Sequence, residues 1–242
     1  MKSRCTILMF LLSLLLLIGP GLSAQDLQLH YDARQHFPSL YFQYFKSQDS
    51  GKAFIKPGSF LLKTQVDMSG PGNNIAKAYI QVSQSFRFWK PKIFLSLQYN
   101  GGLGVTEPKQ YSYYINNAWS IGLEYPFRWK GAWLSAVLDY KYIPYARPSH
   151  DPFFTFYWWS GYLHYKLEFS GDFSVWTENK DHGDASTKGL QGKRLLFFGE
   201  PQCWWNFNKV MAAGTKINLF YHINTTADVF QVYPTVAVRF KL

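Results

Sequence analysis

The strict alternation of apolar and polar side chains over 112–125 is the feature that most constrains the fold. One row carries Tyr113, Ile115, Asn117, Trp119, Ile121, Leu123 and Tyr125, and the other carries Ser112, Tyr114, Asn116, Ala118, Ser120, Gly122 and Glu124. Successive side chains of a β-strand point to opposite faces. An apolar row with aromatic ends, opposite a row of small and polar residues, is typical of a strand with lipid on one side and water on the other.

The same alternation recurs along the chain. It is clear in 58–68, 75–88, 92–100, 131–142, 166–177, 212–224 and 229–242, and less regular in 26–32, 38–46, 153–164 and 193–207. Pro201 lies inside the last of these runs and predicts a bulge or bend there. The runs predict an all-β fold, a single antiparallel transmembrane β-barrel of about twelve strands. An even number places both chain ends on one side of the membrane.

The connections between these strands sort by length. Short ones are expected at 89–91, 126–130, 208–211 and near Tyr165, and long ones at 101–111, 143–152 and 178–192, with 47–57 as an exception. Short periplasmic turns and longer extracellular loops are typical of outer-membrane barrels. Aromatic residues concentrate near the strand ends and predict two girdles, with Trp89, Tyr125, Phe127, Trp129, Trp204, Trp205 and Phe207 at one rim and Tyr111, Tyr113, Tyr142 and Tyr145 at the other.

Residues 1–24 have the layout of a cleaved secretory signal. Lys2 and Arg4 precede an apolar run, and a small residue, Ala24, offers the cleavage point. The run is shorter than the roughly 20 residues that a spanning helix needs. We therefore divide the chain into a signal peptide over 1–24 and a barrel domain over 25–242, directed to a bacterial outer membrane.

Composition excludes several classes of protein. Cleavage leaves Cys203 as the single cysteine, so an internal disulfide and a cysteine-rich zinc site are excluded. Aromatic residues make up 19% of the chain and charged residues 17%, while the mean hydropathy is −0.19. Lysine and arginine are scattered rather than clustered, which argues against a nucleic-acid partner.

The side chains of a soluble β-sandwich or lipocalin-like barrel also alternate between apolar and polar. In that alternative fold the apolar row would face a core and the polar row would face bulk water.

Four short segments carry a resemblance to a known family. They are Leu27–Asp32, Tyr99–Gly102, Ile115–Trp119 and Glu200–Gln202. With these segments the chain resembles an uncharacterised family of small outer-membrane proteins that is similar in turn to the nucleoside-specific channels called Tsx. The resemblance implies a monomeric twelve-stranded barrel with a narrow pore, in which aromatic and polar side chains would pass nucleosides. Its partners would be outer-membrane lipid and a small polar solute.

The polar rows predict which side chains line the lumen. Hydrogen-bonding and stacking groups for a polar solute would come from Tyr79, Gln81, Gln98, Asn100, Asn116, Gln202, Asn218 and Tyr233. Inward charges would come from Lys63, Asp67, Lys77, Arg87, Glu124, Asp139, Lys141, Glu168, Asp172, Arg194, Glu200, Lys216 and Arg239. Most of these charges are expected to pair across the lumen and keep the barrel rigid, because breaking a buried pair is costly.

Passive diffusion of a small polar solute is the function that these patterns favour, without a cofactor, a metal or catalysis. Two alternatives stay open: a lipid-modifying hydrolase, and a closed structural barrel. For a hydrolase, Ser160 and His164 would share one face of a strand, but the sequence contains no nucleophile, base and orienting group with a distinctive spacing. No metal-ligand spacing stands out either.

Overall fold

A computed structural model describes residues 23–47, 55–106, 111–115, 117–223 and 225–242. The strands are β1 Ser23–Asp32, β2 Pro38–Lys46, β3 Lys56–Asp67, β4 Lys77–Arg87, β5 Phe94–Val105, β6 Ser112–Tyr114, β7 Ala118–Trp129, β8 Ala132–Ile143, β9 Ser149–Tyr162, β10 Leu167–Asn179, β11 Lys193–Gly199, β12 Gln202–Asn206, β13 Met211–Tyr221 and β14 Phe230–Lys241. A 3₁₀ turn spans Pro71–Asn73. In the described part of the chain, no helix is both long and apolar enough to cross a membrane. The predicted signal peptide over 1–24 lies outside the described residues except for its last two, and remains a prediction.

Antiparallel pairing closes the sheet on itself. Strands that are consecutive in the sequence pair with each other, except β6 with β7 and β11 with β12, and β1 pairs with β14 from Asp26 opposite Lys241 to Asp32 opposite Thr235. Both β11 and β12 fill the gap between β10 and β13, and β6 continues β7 along the edge of β5. The described residues therefore form twelve barrel strands, as the alternation predicted. Closure gives each of these twelve barrel strands a partner on both sides, as a bilayer requires.

The two rows of each strand separate into an apolar exterior and a polar interior. Ile121 and Val236 expose 48% and 68% of their surface on the outside of the barrel. Glu124 and Lys216, on the inward rows, expose 6% and 1%. Apolar groups that face outward and charges that are enclosed are the reverse of a soluble barrel. The alternation therefore predicted the two faces correctly.

The connections differ between the two rims of the barrel. We call the rim with both chain ends the terminal rim, and the other one the distal rim. At the terminal rim Lys130 and Gly131 alone join β7 to β8, and both have positive φ. The loops at the distal rim include 144–148 and 180–192. The long connections predicted at 101–111 and 143–152 are shorter, because β5 continues to Val105 and β9 begins at Ser149.

A bulge reverses part of the predicted run 112–125. Asn100 pairs with Ala118, whereas Leu103 pairs with Tyr114, so one extra residue lies between β6 and β7. A one-residue shift moves side chains to the opposite face. Tyr113 and Ile115 therefore line the lumen, where the sequence predicted an outward position.

The predicted face also changes after β13. His222 has a positive φ, which ends the alternation, and its ring bonds to the Leu195 carbonyl and to Asp228. Ile223, predicted to face lipid, instead packs inward against the lumen residues Trp176 and Leu196. The distal half of the lumen thereby gains an apolar cluster on one wall.

Pro201 interrupts the tenth barrel strand, as predicted. The break between Gly199 and Gln202 leaves two short strands, β11 and β12. The backbone is still satisfied there: the Glu200 N–H donates to the Asp172 carbonyl at 2.8 Å, and the Pro201 carbonyl accepts from Ile217 at 3.0 Å. The break places the Glu200 side chain in the middle of the lumen.

Candidate functional site in the barrel lumen

A buried cluster of charges crosses the middle of the lumen. Lys63 on β3 donates to Asp172 on β10 and, at 2.5 Å, to Glu200 next to β11. Lys216 on β13 lies 3.4 Å from the other oxygen of Glu200. These four groups carry two positive and two negative charges, and all four are buried. We call them the central charge cluster; its net charge is zero.

Aromatic and amide side chains extend this cluster across the lumen. We call the central charge cluster together with Tyr41, Gln81 and Tyr157 the central belt. The Tyr41 hydroxyl donates to Glu200 at 3.4 Å, and the Lys216 ammonium lies 4.3 Å from the Tyr41 ring centre. The Gln81 amide on β4 donates across the lumen to the Tyr157 hydroxyl on β9 at 3.1 Å. Cation–π contacts of this kind are stronger when they are desolvated, as they are here. The central belt thus joins seven of the barrel strands across the lumen.

The belt lies between two cavities of about 460 Å³ each. One opens toward the terminal rim and the other toward the distal rim. Lys63, Gln98 and Asp172 contribute to the walls of both cavities. The two cavities therefore meet at the central belt, and anything that crosses the barrel passes it.

The residues predicted to bind a solute divide between the two cavities. Gln98 lines both, and Gln202 lines the terminal cavity. The distal cavity is lined by Tyr79, Gln81, Asn100, Asn218 and Tyr233. Asn116 lies outside the described residues. The inward orientation of the seven described residues is as predicted, while their role in binding remains a prediction.

The predicted charges pair less completely than expected. Besides the central charge cluster, Arg239 and Lys241 each lie 2.5 Å from the carboxylate of Glu168 near the terminal rim. Asp67 lies directly opposite Lys77 on the neighbouring strand, and Arg194 lies directly opposite Glu178.

The contacts of the remaining charges of the prediction include neutral groups. Arg87 lies over the Phe94 ring at 5.2 Å, and Lys141 lies 3.9 Å from the centre of Trp176. Glu124 accepts from the Ser59 and Ser135 hydroxyls, and Asp139 accepts from Ser96 at 3.4 Å.

Several lumen residues were missed by sequence reasoning. Tyr41 and Tyr157 belong to runs whose aromatic residues occupy both faces, so alternation did not distinguish their inward position. Phe45 and Trp133 meet across the terminal mouth with ring centres 5.4 Å apart, although their strands, β2 and β8, lie on opposite sides of the barrel. Trp204 was predicted in a girdle, but it is fully buried in the lumen beneath Arg239.

The pair proposed for a hydrolase does not share a strand. Ser160 belongs to β9, which ends at Tyr162, whereas His164 lies in the following turn with a φ of 55°. The alternation that would align them stops before His164, so the predicted common face is wrong. Among the described residues no group of three or more histidine, cysteine, aspartate or glutamate side chains is arranged to hold a metal ion.

A closed barrel with an apolar exterior and a polar, charged interior defines a membrane-spanning β-barrel of the outer-membrane type. The chain belongs to the family described as Domain of unknown function (DUF5020), whose model matches residues 24–242. No curated protein matches the chain.

Solved structures of three outer-membrane proteins are similar to this chain. The NanC porin has a TM-score of 0.49 and 10% identity over 90% of this chain and 100% of the porin. LpxR from Salmonella typhimurium has a TM-score of 0.42 and 9% identity over 90% and 100% of the two chains. The translocator domain of the autotransporter NalP from Neisseria meningitidis has a TM-score of 0.35 and 8% identity over 100% and 95%. The assignment of fold rests on the strand pairing of this chain and not on these likenesses.

Proposed function

We propose that the protein is a narrow channel through which a small polar solute diffuses passively across the bacterial outer membrane. A cleaved signal peptide would direct the protein to that membrane. The observation that carries the proposal is the meeting of two cavities, each with polar side chains in its wall, at one central belt. A barrel that served only as a rigid anchor would have no need of two cavities that open to opposite rims. The volume of each lies within the roughly 300–1,000 Å³ of small-molecule sites.

The charges of the belt favour a neutral or zwitterionic solute. The central charge cluster has two lysines and two carboxylates, so it attracts neither sign of ion strongly. Its polar atoms can exchange hydrogen bonds with a passing solute. The tyrosine rings at 41, 79 and 233 offer surfaces for stacking in the distal cavity. Nucleosides and monosaccharides both have the combination of ring and hydroxyl groups that such a wall suits.

Vesicle swelling tests the proposal directly. The purified protein is reconstituted into liposomes, and osmotic swelling is followed in uncharged sugars and nucleosides of increasing size. Wild-type protein should admit the small solutes and exclude the large ones. Tyr157→Ala removes a ring from the central belt without leaving a buried charge unpaired, so it should raise both the rate and the size limit.

The matched control is Tyr125→Ala, because Tyr125 lies on the outer surface and is half exposed. Its swelling rates should equal those of the wild type. If the wild-type protein admits no solute, and Tyr157→Ala admits none either, the channel proposal is wrong.

A closed structural barrel is the second candidate, and one observation favours it. Lys63 bridges carboxylates on the far side of the lumen, and Phe45 and Trp133 meet across the terminal mouth. Contacts that span the lumen at two levels would brace a barrel that never opens. The same swelling experiment separates the two candidates, because a closed barrel is impermeable to every solute.

A further inference from the structure

Lys141 is a buried cation in the wall of the distal cavity. It lies on β8 and is only 3% exposed. Its ammonium lies 3.9 Å from the centre of the Trp176 ring on β10 and 5.0 Å from that of the Phe153 ring on β9. Trp176 follows Asp172 of the central belt by four residues on the same strand, which is about 13 Å toward the distal rim. A solute that enters from the distal rim therefore reaches this patch before the belt.

The Lys141 ammonium has neither an ion-pair partner nor a hydrogen-bond acceptor among the described residues. The charges of Asp151 and Glu178 act on it only from a longer distance. Asp151 lies opposite Lys141 in register, but its carboxylate instead contacts Lys193 at 2.5 Å. Glu178 accepts a hydrogen bond from the indole N–H of Trp176 at 3.2 Å. Both acids are thus engaged elsewhere, and the three donors of the ammonium remain open.

The other lysines of the distal cavity each have an acid beside them. The two lysines of the central charge cluster contact the carboxylate of Glu200, and Lys77 lies opposite Asp67 in register. Lys141 has aromatic rings in place of an acid. Rings attract a cation, but they are weak acceptors of N–H hydrogen bonds. A buried charge without hydrogen bonds is costly, so an anion that brought its oxygen atoms to Lys141 would gain strong charge-assisted bonds.

The wall around Lys141 is apolar and faces open space. Phe198 and Ile223 pack against the cluster that contains Phe153 and Trp176, and all four side chains line the distal cavity of about 460 Å³. A ligand whose negative group met Lys141 would lay the rest of its surface on these side chains, where apolar contact is favourable. An inorganic anion would make no use of them. The patch therefore suits an anion with an apolar body.

We propose that the distal cavity binds a small organic carboxylate, with its charged group at the Lys141 ammonium and its apolar body against Trp176, Phe198 and Ile223. One ammonium matches the single charge of one carboxylate. The inference deepens the proposed function, and rests on it only for the claim that the bound solute also crosses the membrane. Of the neutral and zwitterionic solutes that the central belt favours, it selects those that combine a carboxylate with an apolar side.

Fluorine NMR titration of the protein in detergent micelles tests the site without any need for transport. The probe is para-fluorobenzoate, and its matched control is para-fluorobenzamide, which has the same shape and no charge. After subtraction of the effect of protein-free micelles, we expect the benzoate to bind at least about tenfold more tightly than the amide. Unlabelled benzoate should displace the probe, and acetate, which lacks an apolar body, should displace it about tenfold less well.

The matched variants change or keep the charge at Lys141. Lys141→Met keeps the length of the side chain and breaks no ion pair, so the fold should persist while the preference for the benzoate over the amide disappears. Lys141→Arg keeps the charge and should retain the preference. Lys241→Met, at the terminal rim, should bind as the wild type does, because Glu168 keeps Arg239 there. Heat-modifiable migration on a gel verifies that each variant is folded.

Equal affinity of the wild-type protein for para-fluorobenzoate and para-fluorobenzamide would overturn the proposal without recourse to any variant. An unchanged preference in folded Lys141→Met would overturn it as well. Equal displacement by acetate and benzoate would overturn the apolar part of the proposed ligand.

The channel and the carboxylate site fail separately. If para-fluorobenzoate binds as described but vesicles admit no solute, the site stands and the channel falls. If uncharged solutes permeate but the benzoate binds no better than the amide, the channel stands and the carboxylate site falls.

Discussion

Replacing Lys63 with methionine should destabilise the barrel more than any other single lysine substitution in the lumen. The Lys63 ammonium contacts both Asp172 and Glu200, and all three side chains are at most 7% exposed. Removing one member of a buried ion pair typically costs about 3–5 kcal/mol, because the remaining charge is left uncompensated. Glu200 keeps Lys216 at 3.4 Å, whereas Asp172 loses its ion pair, so most of the cost arises at Asp172.

A double variant and a control separate this cause from a loss of packing. Lys63→Met combined with Asp172→Asn removes the stranded charge and should recover ~1–3 kcal/mol of the loss. Lys241→Met is the control, since Lys241 is partly exposed and Glu168 keeps Arg239; its cost should stay below about 1 kcal/mol.

Urea unfolding in phospholipid vesicles, followed by tryptophan fluorescence, gives these free energies. The variants are compared only where the free energy of unfolding falls with urea concentration at the same slope. A cost for Lys63→Met no greater than that for Lys241→Met, with no recovery in the double variant, would refute the structural role given to the central charge cluster.

Three further outcomes follow from other parts of the barrel. Trp133→Ala removes the ring contact across the terminal mouth and should raise sugar flux in vesicles at least twofold; an unchanged flux would show that the contact does not restrict passage. Hydrogen bonds from the Ser186 hydroxyl lower the pKa of Asp184 to about 2, so the loop 180–192 gains order from the ionised carboxylate above the ordinary value of 3.8 and loses it as pH falls toward 2. Hydrogen exchange at pH 5 and pH 2.5 would detect the change, and equal protection at both would contradict it. Val236→Lys places a charge on the lipid-facing surface and should cost about 2–4 kcal/mol at the midplane, read as a lower folding yield into vesicles.

Local alternation was enough to predict the barrel and most of its two faces. Ile121 and Glu124 lie on one strand, and their orientation follows from the parity of their positions alone. Where the backbone departs from a regular strand, the parity of a position no longer predicts which face its side chain occupies. One extra residue at 115–117 turned Tyr113 inward, and a positive φ at His222 did the same for Ile223. Neither change has a compositional signal, because the residues on both sides remain typical of strands.

The pairing of charges across the lumen was beyond the sequence for a different reason. Lys63 and Asp172 lie 109 positions apart, on strands that face each other through the interior. Which inward residues share a level depends on the tilt and stagger of all the strands, which no local pattern encodes. The alternation identified the candidates for the central charge cluster, but only the closed barrel shows which of them meet.

Oxygen and nickel-chelate accessibilities of spin labels at neighbouring positions test the central claim most directly. Leu97 and Gln98 are adjacent on β5, with Leu97 outside and Gln98 in the lumen. Each is replaced by cysteine in a Cys203→Ser background, labelled and reconstituted into phospholipid vesicles. The label at 97 should be relaxed more by oxygen, which concentrates in lipid, and the label at 98 more by the water-soluble nickel chelate. The reverse order, or equal relaxation at both positions, would contradict a barrel with lipid outside and water within.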